Sequence, residues 1–427
     1  MKRAGTVAAL FLWILLFLQM GLAAEEVSFY AQSPFATREN LNYFTRTSIP
    51  GRTITSLNGR YEVWEADRSR QIGKVHLPSV YHLRHSFIFR RSFSVKQPER
   101  PFHRLHLTRI TGNLQISIND KVLFTGSRNF LPISLPLPPN LLRQQDNILE
   151  IRVDPWTGQD RQFPAWFPIN LPRMDQGVAG PVFLETLPEV HLSLVDVDGQ
   201  TGESVTTVQG NVHVRSAEAL SGTYRLNLQL LSGEKQVTRE LEINGDSLST
   251  TQSLPFQFQI QNPAGWLPES PQRSSIKVEL LQQEQVLDQV LLPLVFRKVE
   301  QQPEHLRVGG TALKIRGLNY VYQNSQGVDL FQQDQVWDDL IFIKKRKFNA
   351  IRVGFYPQLE PLYSMTDSLG ICCFQDLPFL FLDDAAFSDS LFQQELESYV
   401  NNFALLANRH PSVVAVGIGI PGGQTFD

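Results

Sequence analysis

The chain has 427 residues, a length that suits two or three domains of about 150 residues each. With 42% hydrophobic and 19% charged residues it is too apolar to be disordered. Lys+Arg 39 against Asp+Glu 42 leaves a net charge of −3, which excludes a basic nucleic-acid binder and a polyanionic tail protein. Gly 27 and Pro 26 lie near ordinary usage and exclude a fibrous class.

Residues 1–24 have the layout of a secretory signal. Lys2 and Arg3 precede an uncharged stretch with an apolar centre at residues 7–18, and small residues lead up to Glu25-Glu26. The pattern predicts cleavage after Ala23 or Ala24, with an uncleaved amino-terminal anchor as the rival reading. It places the protein outside the cytoplasm, in a bacterial periplasm or on the cell surface. No later stretch is long and apolar enough to span a bilayer. The two cysteines, Cys372 and Cys373, are adjacent. Neighbours on a strand point to opposite faces, so they predict two buried thiols and no disulfide.

Residues 25–189 read as short strands and turns, predicting a jelly-roll-like β-sandwich. Leu114, Ile116 and Ile118 alternate with polar residues, Asn119-Asp120 makes a turn, and Val122-Leu123-Phe124 returns. Leu149, Ile151 and Val153 alternate with Glu150 and Arg152, which predicts a strand with one wet face. Residues 190–299 continue in the same style. Val208, Val212 and Val214, then Tyr224, Leu226, Leu228 and Leu230, then Phe256, Phe258 and Ile260, then Ile276, Val278 and Leu280 predict an immunoglobulin-like β-sandwich.

From residue 300 to 427 strands alternate with helices, which implies a parallel sheet. Strands are expected at 313–318, 349–353, 371–375 and 412–418. Helices are expected at 331–347, 359–369 and 388–408. Asp334 opens the first helix and Lys344-Lys345-Arg346-Lys347 close it, an order that suits the helix dipole. The basic run reads first as a solvated helix end. His82 with His85, and His103 with His106, have a spacing that sends strand side chains to opposite faces, so metal ligation is not expected. Trp156, Trp166 and Phe167 lie in a Pro-rich loop, where they cover the sandwich or stack on a sugar.

These motifs, in this order, resemble glycoside hydrolase family 2, the β-galactosidase, β-glucuronidase and β-mannosidase group. The resemblance is carried by Leu57-Asn58-Gly59 with Trp64, by Arg90-Arg91-Ser92-Phe93-Ser94-Val95 and by Gly180-Pro181-Val182. It is sharper in Arg316-Gly317-Leu318-Asn319, in Asn349-Ala350-Ile351-Arg352 with Tyr356-Pro357, in Phe374-Gln375-Asp376 and in Arg409-His410-Pro411-Ser412. Phe355 stands where the family usually has His. The resemblance implies a sugar-binding sandwich, an immunoglobulin-like sandwich and a (β/α)8 TIM barrel, of which four strands, the amino-terminal half, are present here. A closed barrel takes about 250 residues, so a fragment of a longer product, or a partner that completes the barrel, is expected.

The family's chemistry needs two Glu carboxyls about 5–5.5 Å apart. Aligned from Arg409, the motif that normally ends in Gly-Asn-Glu has Gly419, Ile420 and Pro421. Ile420 and Pro421 form a degenerate general-acid slot, and no catalytic residue is assigned. The resemblance places Arg352, Asn319 and Asp376 at the sugar pocket, with Tyr356 and Gln375 as weaker candidates. A pairing of Arg352 with Asp376 is the structural alternative. A carbohydrate ligand is expected; a metal, a cofactor or nucleic acid is not. The favoured reading is a non-hydrolytic, carbohydrate-binding relative. The alternatives are a piece of an active exported exo-β-glycosidase and a non-enzymatic surface or assembly module.

Overall fold

The alternating stretches form strands because one face of each is apolar throughout. The computed structural model describes residues 13–14, 50–81, 85–126, 130–154, 176–201, 205–245, 250–302, 305–322, 332–354, 356–378, 380–382, 390–417 and 420–421. The first unit is a β-sandwich. One sheet runs in the order Lys121–Gly126, Asn113–Ile118, Asn147–Asp154, Phe87–Phe93, Gly59–Glu65, Gln71–Leu77. The facing sheet runs Ile133–Pro136, His103–Leu107, Val182–Thr186, Thr53–Ser56. Leu105, Leu107, Ile116, Leu149, Ile151 and Leu184 fill the space between them. The hairpin turn is as expected: Asn119 and Asp120 have φ of 50° and 65°, the left-handed pair that matches strand twist. The wet face at Leu149–Val153 needs correction, because Glu150 is buried. Arg68 lies 2.6 Å from its carboxylate and Arg90 3.8 Å, so a pair of cations covers it instead of water.

The second unit is another antiparallel sandwich. Val190–Thr201, Val205–Ser216 and Thr251–Gln261 form one sheet. Lys235–Asn244, Thr223–Ser232, Ser274–Gln282 and Gln285–Leu294 form the other. The expected inward residues, among them Val212, Leu228, Phe258 and Val278, form its core.

In the third unit β1 (Gly317–Tyr320), α1 (Gln333–Lys345), β2 (Ala350–Val353), α2 (Glu360–Leu369), β3 (Cys372–Asp376), α3 (Ser390–Ala407) and β4 (Val413–Gly417) alternate. The four strands are parallel and lie in sequence order. Ile351, Val353, Cys373 and Val413 face Val336, Leu340, Tyr363 and Phe403 of the helices. Ala350, Cys372 and Val414 face the other way, towards Trp266, Val308 and Leu313. The cysteines therefore sit on opposite faces, both free and buried, and burial pushes the Cys372 thiol up to about 12.

The single strand expected at 313–318 is two strands. Thr311–Leu313 belongs to a small antiparallel sheet with Leu306–Val308 and Val299–Gln301, and β1 begins only at Gly317. The chain changes sheets over Lys314–Arg316, and Asn349 takes over the hydrogen bonding there. Its Nδ2 donates to the Lys314 carbonyl at 3.0 Å and its Oδ1 accepts from the Arg316 amide at 2.8 Å. Residues 1–24 lie outside the described residues except for Trp13 and Ile14, which pair antiparallel with Gly417 and Val416 at the free edge of β4. Trp156, Trp166, Phe167, His82 and Phe355 also lie outside them.

Buried polar contacts join the units. Between the sandwiches Arg52 donates to both Asp288 oxygens, at 2.7 and 2.8 Å, and to Glu185 at 2.9 Å, while His106 Nε2 lies 3.1 Å from Glu185. Burial works against the charge on Arg52, but Asp288 and Glu185 outweigh it and hold the guanidinium ionised. Burial would also lift Glu185, yet Arg52 and His106 hold its carboxyl far below the usual range. Towards the barrel, Trp266 Nε1 donates to the Asp367 carbonyl at 2.9 Å and Arg297 to the Val413 carbonyl at 2.6 Å. Gly370 ends α2 with φ of 64°, and a Cβ there would stand 2.1 Å from the Pro268 carbonyl oxygen.

Two outcomes follow for stability. Burial holds His103, His106 and His191 below their ordinary range, so the unfolded chain takes up protons first as pH falls below about 6.5. Stability therefore falls on acidification from that point, by up to about 1.4 kcal/mol per pH unit for each histidine. Glu185 adds to the loss below its unfolded value near 4.5. Urea midpoints measured from pH 7 to pH 5 should decline, and His106→Gln should flatten the decline. Gly370→Ala should cost about 1–3 kcal/mol through its left-handed backbone, read as a lower urea midpoint with unchanged slope.

Candidate functional site

Side chains alternate along a strand, so in the barrel register one set of residues leaves the helix layer and faces inward. Asn319 stands beside Arg352, Arg352 beside Phe374, and Asp376 beside Gly417. These residues lie towards the carboxyl ends of β1, β2 and β3, where barrel folds place their chemistry. Asn319 is exposed. The Arg352 side chain is 37% exposed and that of Asp376 only 8%, and Arg352 Nε donates to Asp376 Oδ2 at 2.8 Å.

Two glycines make room for this pair. A Cβ on Gly417 would stand 2.5 Å from Asp376 Oδ1, and one on Gly354 3.3 Å from Oδ2. The Asp376 carboxyl thus lies against the backbone of both β2 and β4. Burial raises it above the ordinary range, and Arg352 opposes that shift. The result is a guanidinium bonded to a buried carboxylate, with over a third of its side chain open to solvent.

Gln375 and Tyr356 take other roles. Gln375 is fully buried on the helix side; its Nε2 donates to the Tyr356 carbonyl at 2.9 Å and its Oε1 accepts from Tyr363 at 2.7 Å. Tyr363 also accepts from the Gln358 amide at 2.9 Å. This network holds the loop that follows β2. The Tyr356 ring is buried and stacks on Phe130 of the first sandwich, centroids 4.3 Å apart, with the Arg109 guanidinium 4.8 Å from its centroid. Both residues position the rim of the site. Nothing in the sequence pattern singled out Tyr363, Gln358, Arg109 or Phe130, because each reads as an ordinary core or loop residue.

The Arg409-His410-Pro411-Ser412 signature sets the start of β4. Asp367 of α2 takes His410 Nδ1 at 2.7 Å on one oxygen and the Ser412 amide at 2.9 Å on the other. Glu360 lies 3.9 Å from His410, and burial pushes it up to about 8 in spite of Arg409. Beyond β4 the backbone of Ile420–Pro421 pairs in parallel with Leu380–Leu382, the stretch that follows β3. His103 contacts Thr186 at 3.0 Å, and His106 is committed to Glu185. Among the described residues no cluster of three or more His, Cys, Asp or Glu could hold a metal.

Comparison with known proteins gives the arrangement a family. The model described as "Glycosyl hydrolases family 2" matches residues 190–297, and the model described as "Glycosyl hydrolases family 2, TIM barrel domain" matches residues 299–414. Together they cover about half of the chain. A β-galactosidase of Vibrio vulnificus is 25% identical over 226 residues, which are 50% of this chain and 22% of that protein. A β-galactosidase of Yersinia pestis is 26% identical over 214 residues, 46% of this chain and 20% of the relative.

Among solved structures, Bacteroides uniformis β-glucuronidase 2 superposes with a TM-score of 0.72 at 18% identity, over 84% of this chain and 46% of that one. A GH2 β-galacturonidase from Eisenbergiella tayi gives 0.68 at 17% identity, over 86% and 65%. The chain thus spans about a fifth of the length of these curated relatives and about half to two thirds of these structures. With its two β-sandwiches, its parallel βα units and both family matches in the expected order, the chain belongs to glycoside hydrolase family 2, the β-galactosidase and β-glucuronidase group.

Proposed function

We propose that this chain binds a carbohydrate at the mouth of its half barrel and does not hydrolyse glycosidic bonds. The alignment counted from Arg409 carries the reading: it sets Pro421 where the family's strand-four motif ends in its proton-donating Glu, and Ile420 where it has Asn. A proline ring has no proton to give to a leaving oxygen, and an isoleucine cannot hydrogen-bond a sugar hydroxyl. Membership of the family supports carbohydrate as the ligand class. The inward set of Asn319, Arg352 and Asp376 supports the location, since an exposed amide and a partly exposed guanidinium suit hydroxyl or carboxylate groups on a sugar ring. Gln375 and Tyr356 serve that site from behind, through the loop that they fix.

An active exo-β-glycosidase, of which this chain forms part, is the second reading. The intact Arg352–Asp376 pair and the enzymes to which the chain is similar favour it. Release of nitrophenol from nitrophenyl β-galactoside, β-glucuronide and β-mannoside separates the two. The first reading expects no release above background but heat on titration with at least one of the free sugars. Arg352→Ala should weaken that binding by about tenfold or more, as loss of a charged hydrogen-bond donor does. Turnover abolished by Asp376→Asn would establish the second reading instead.

We also propose that the protein is exported by its first 24 residues. Among the described residues no helix is long and apolar enough to cross a membrane. Amino-terminal sequencing of the protein recovered from outside the cytoplasm should start at Ala24 or Glu25. Recovery of the intact amino terminus in the membrane fraction would identify an anchor.

A further inference from the structure

The two sandwiches meet through charged groups and rings. Their apolar cores are separate: Leu105, Leu107 and Leu184 belong to one, Leu192, Val195 and Val290 to the other. Those first three leucines point into the first sandwich, so by alternation Arg104, His106, Phe183 and Glu185 take the opposite face, with Glu185 beside Arg104 and Phe183 beside His106. The rings of His106 and Phe183 stack, centroids 4.4 Å apart. The second sandwich supplies Asp288, which holds Arg52, and His191. The His191 ring meets Phe102 of the first sandwich edge-on, centroids 4.6 Å apart, and the Arg215 guanidinium lies 5.0 Å from the centroid of the same Phe102 ring.

The two histidines of this layer differ. His106 lies 3.1 Å from Glu185, and both belong to the first sandwich, so they stay together when the sandwiches part. His191 is buried and faces Phe102 across the junction. Its Nδ1 donates to the Pro188 carbonyl at 3.2 Å, which leaves Nε2 as the atom that can take a proton. Among the described residues no carboxylate pairs with it. Of the charged groups around it, Arg52 and Arg104 oppose a further cation; Glu185 favours one, but is already engaged by Arg52 and His106. Asp288 is committed to Arg52 and to the Leu192 amide at 2.8 Å. Burial first, and then the two arginines, hold His191 neutral and well below the ordinary histidine range.

We infer that the junction between the sandwiches is an acid-operated hinge: a proton on His191 Nε2 parts the contact with Phe102 and opens the charged layer, while each sandwich keeps its own core. The sign follows from burial. The closed junction excludes the proton and the open one admits it, so acid favours opening. For one histidine, each pH unit below about 6.5 raises the open population up to tenfold. The separate cores make such a partial opening possible, since parting the layer breaches neither of them. Global unfolding, by contrast, exposes both. The hinge does not depend on the sugar-binding reading.

Hydrogen exchange of the full chain from pH 7 to pH 5, followed by mass spectrometry, tests it. The Leu192 amide, bound to Asp288, reports on the junction, and Ile116 and Val278 report on the two cores. Corrected for intrinsic rate, protection around Leu192 should lie below that of the cores and should fall up to tenfold per pH unit below about 6.5. The radius of gyration from solution scattering should rise over the same range while circular dichroism stays constant. His191→Phe keeps a ring against Phe102 but takes no proton, and should leave Leu192 as protected at pH 5 as at pH 7. His191→Gln checks that result with a smaller polar side chain, and circular dichroism checks that each variant is folded. His213→Gln removes a histidine of the same sandwich that pairs with Asp196 at 3.0 Å, and should leave the opening unchanged. Protection around Leu192 equal to that of the cores at every pH, or a constant radius of gyration, would overturn the proposal. So would the wild-type pH dependence retained in both folded His191 variants, or lost equally in His213→Gln.

Discussion

The site depends on the period-two alternation of four parallel strands held in one register. Arg352 and Asp376 meet only because they fall on the inward set, while Gln375, one position before Asp376, falls on the helix-facing set. A slip of one residue in β3 would exchange them, burying a carboxylate among apolar helix residues and turning an amide into the mouth. The register is fixed from both sides. Tyr363 and the Tyr356 carbonyl hold Gln375 from behind, and the absence of side chains at Gly354 and Gly417 leaves the space that Asp376 occupies.

The junctions between units follow a different logic. Arg52, Asp288, Glu185 and His106 form a buried network between the sandwiches. Its net contribution to stability is small, since desolvation offsets attraction, but removing one partner would strand a buried charge at a cost of about 3–5 kcal/mol. Such a network sets one relative arrangement of the two sandwiches. Trp266 and Arg297 do the same towards the barrel by bonding backbone carbonyls of Asp367 and Val413. The stack of Phe130 on Tyr356 closes a third contact, from the first sandwich to the rim of the site. The sandwiches therefore act as a frame that fixes the loop next to Arg352.

On the proposed reading, chemistry and framework have diverged along this chain. The signature before β4 keeps its structural work, with His410 and Ser412 both gathered by Asp367. A few residues later, the proposed reading sets Ile420 and Pro421 at the positions that the family uses for catalysis. On the proposed reading the fold retains the means of placing a sugar and has lost the means of protonating its leaving oxygen.

The sequence by itself determined the three units, the order of their elements, the inward residues of the sandwich strands and the separation of the two cysteines. All of these are local, since alternation, turn chemistry and motif spacing are properties of neighbouring residues. It also named Arg352 and Asp376, though not which of their two roles applied. Tertiary structure decided that they pair, that Gln375 bonds Tyr363 on the helix side, that Tyr356 stacks on Phe130, and that Glu150 is covered by arginines. It also split the expected strand at 313–318 between two sheets and brought Lys314 and Arg316 beside Asn349. Such outcomes depend on distant partners, as Arg68 is 82 positions from Glu150 and Asp376 24 from Arg352. A linear pattern carries no information about which distant group will supply a hydrogen bond or exclude water.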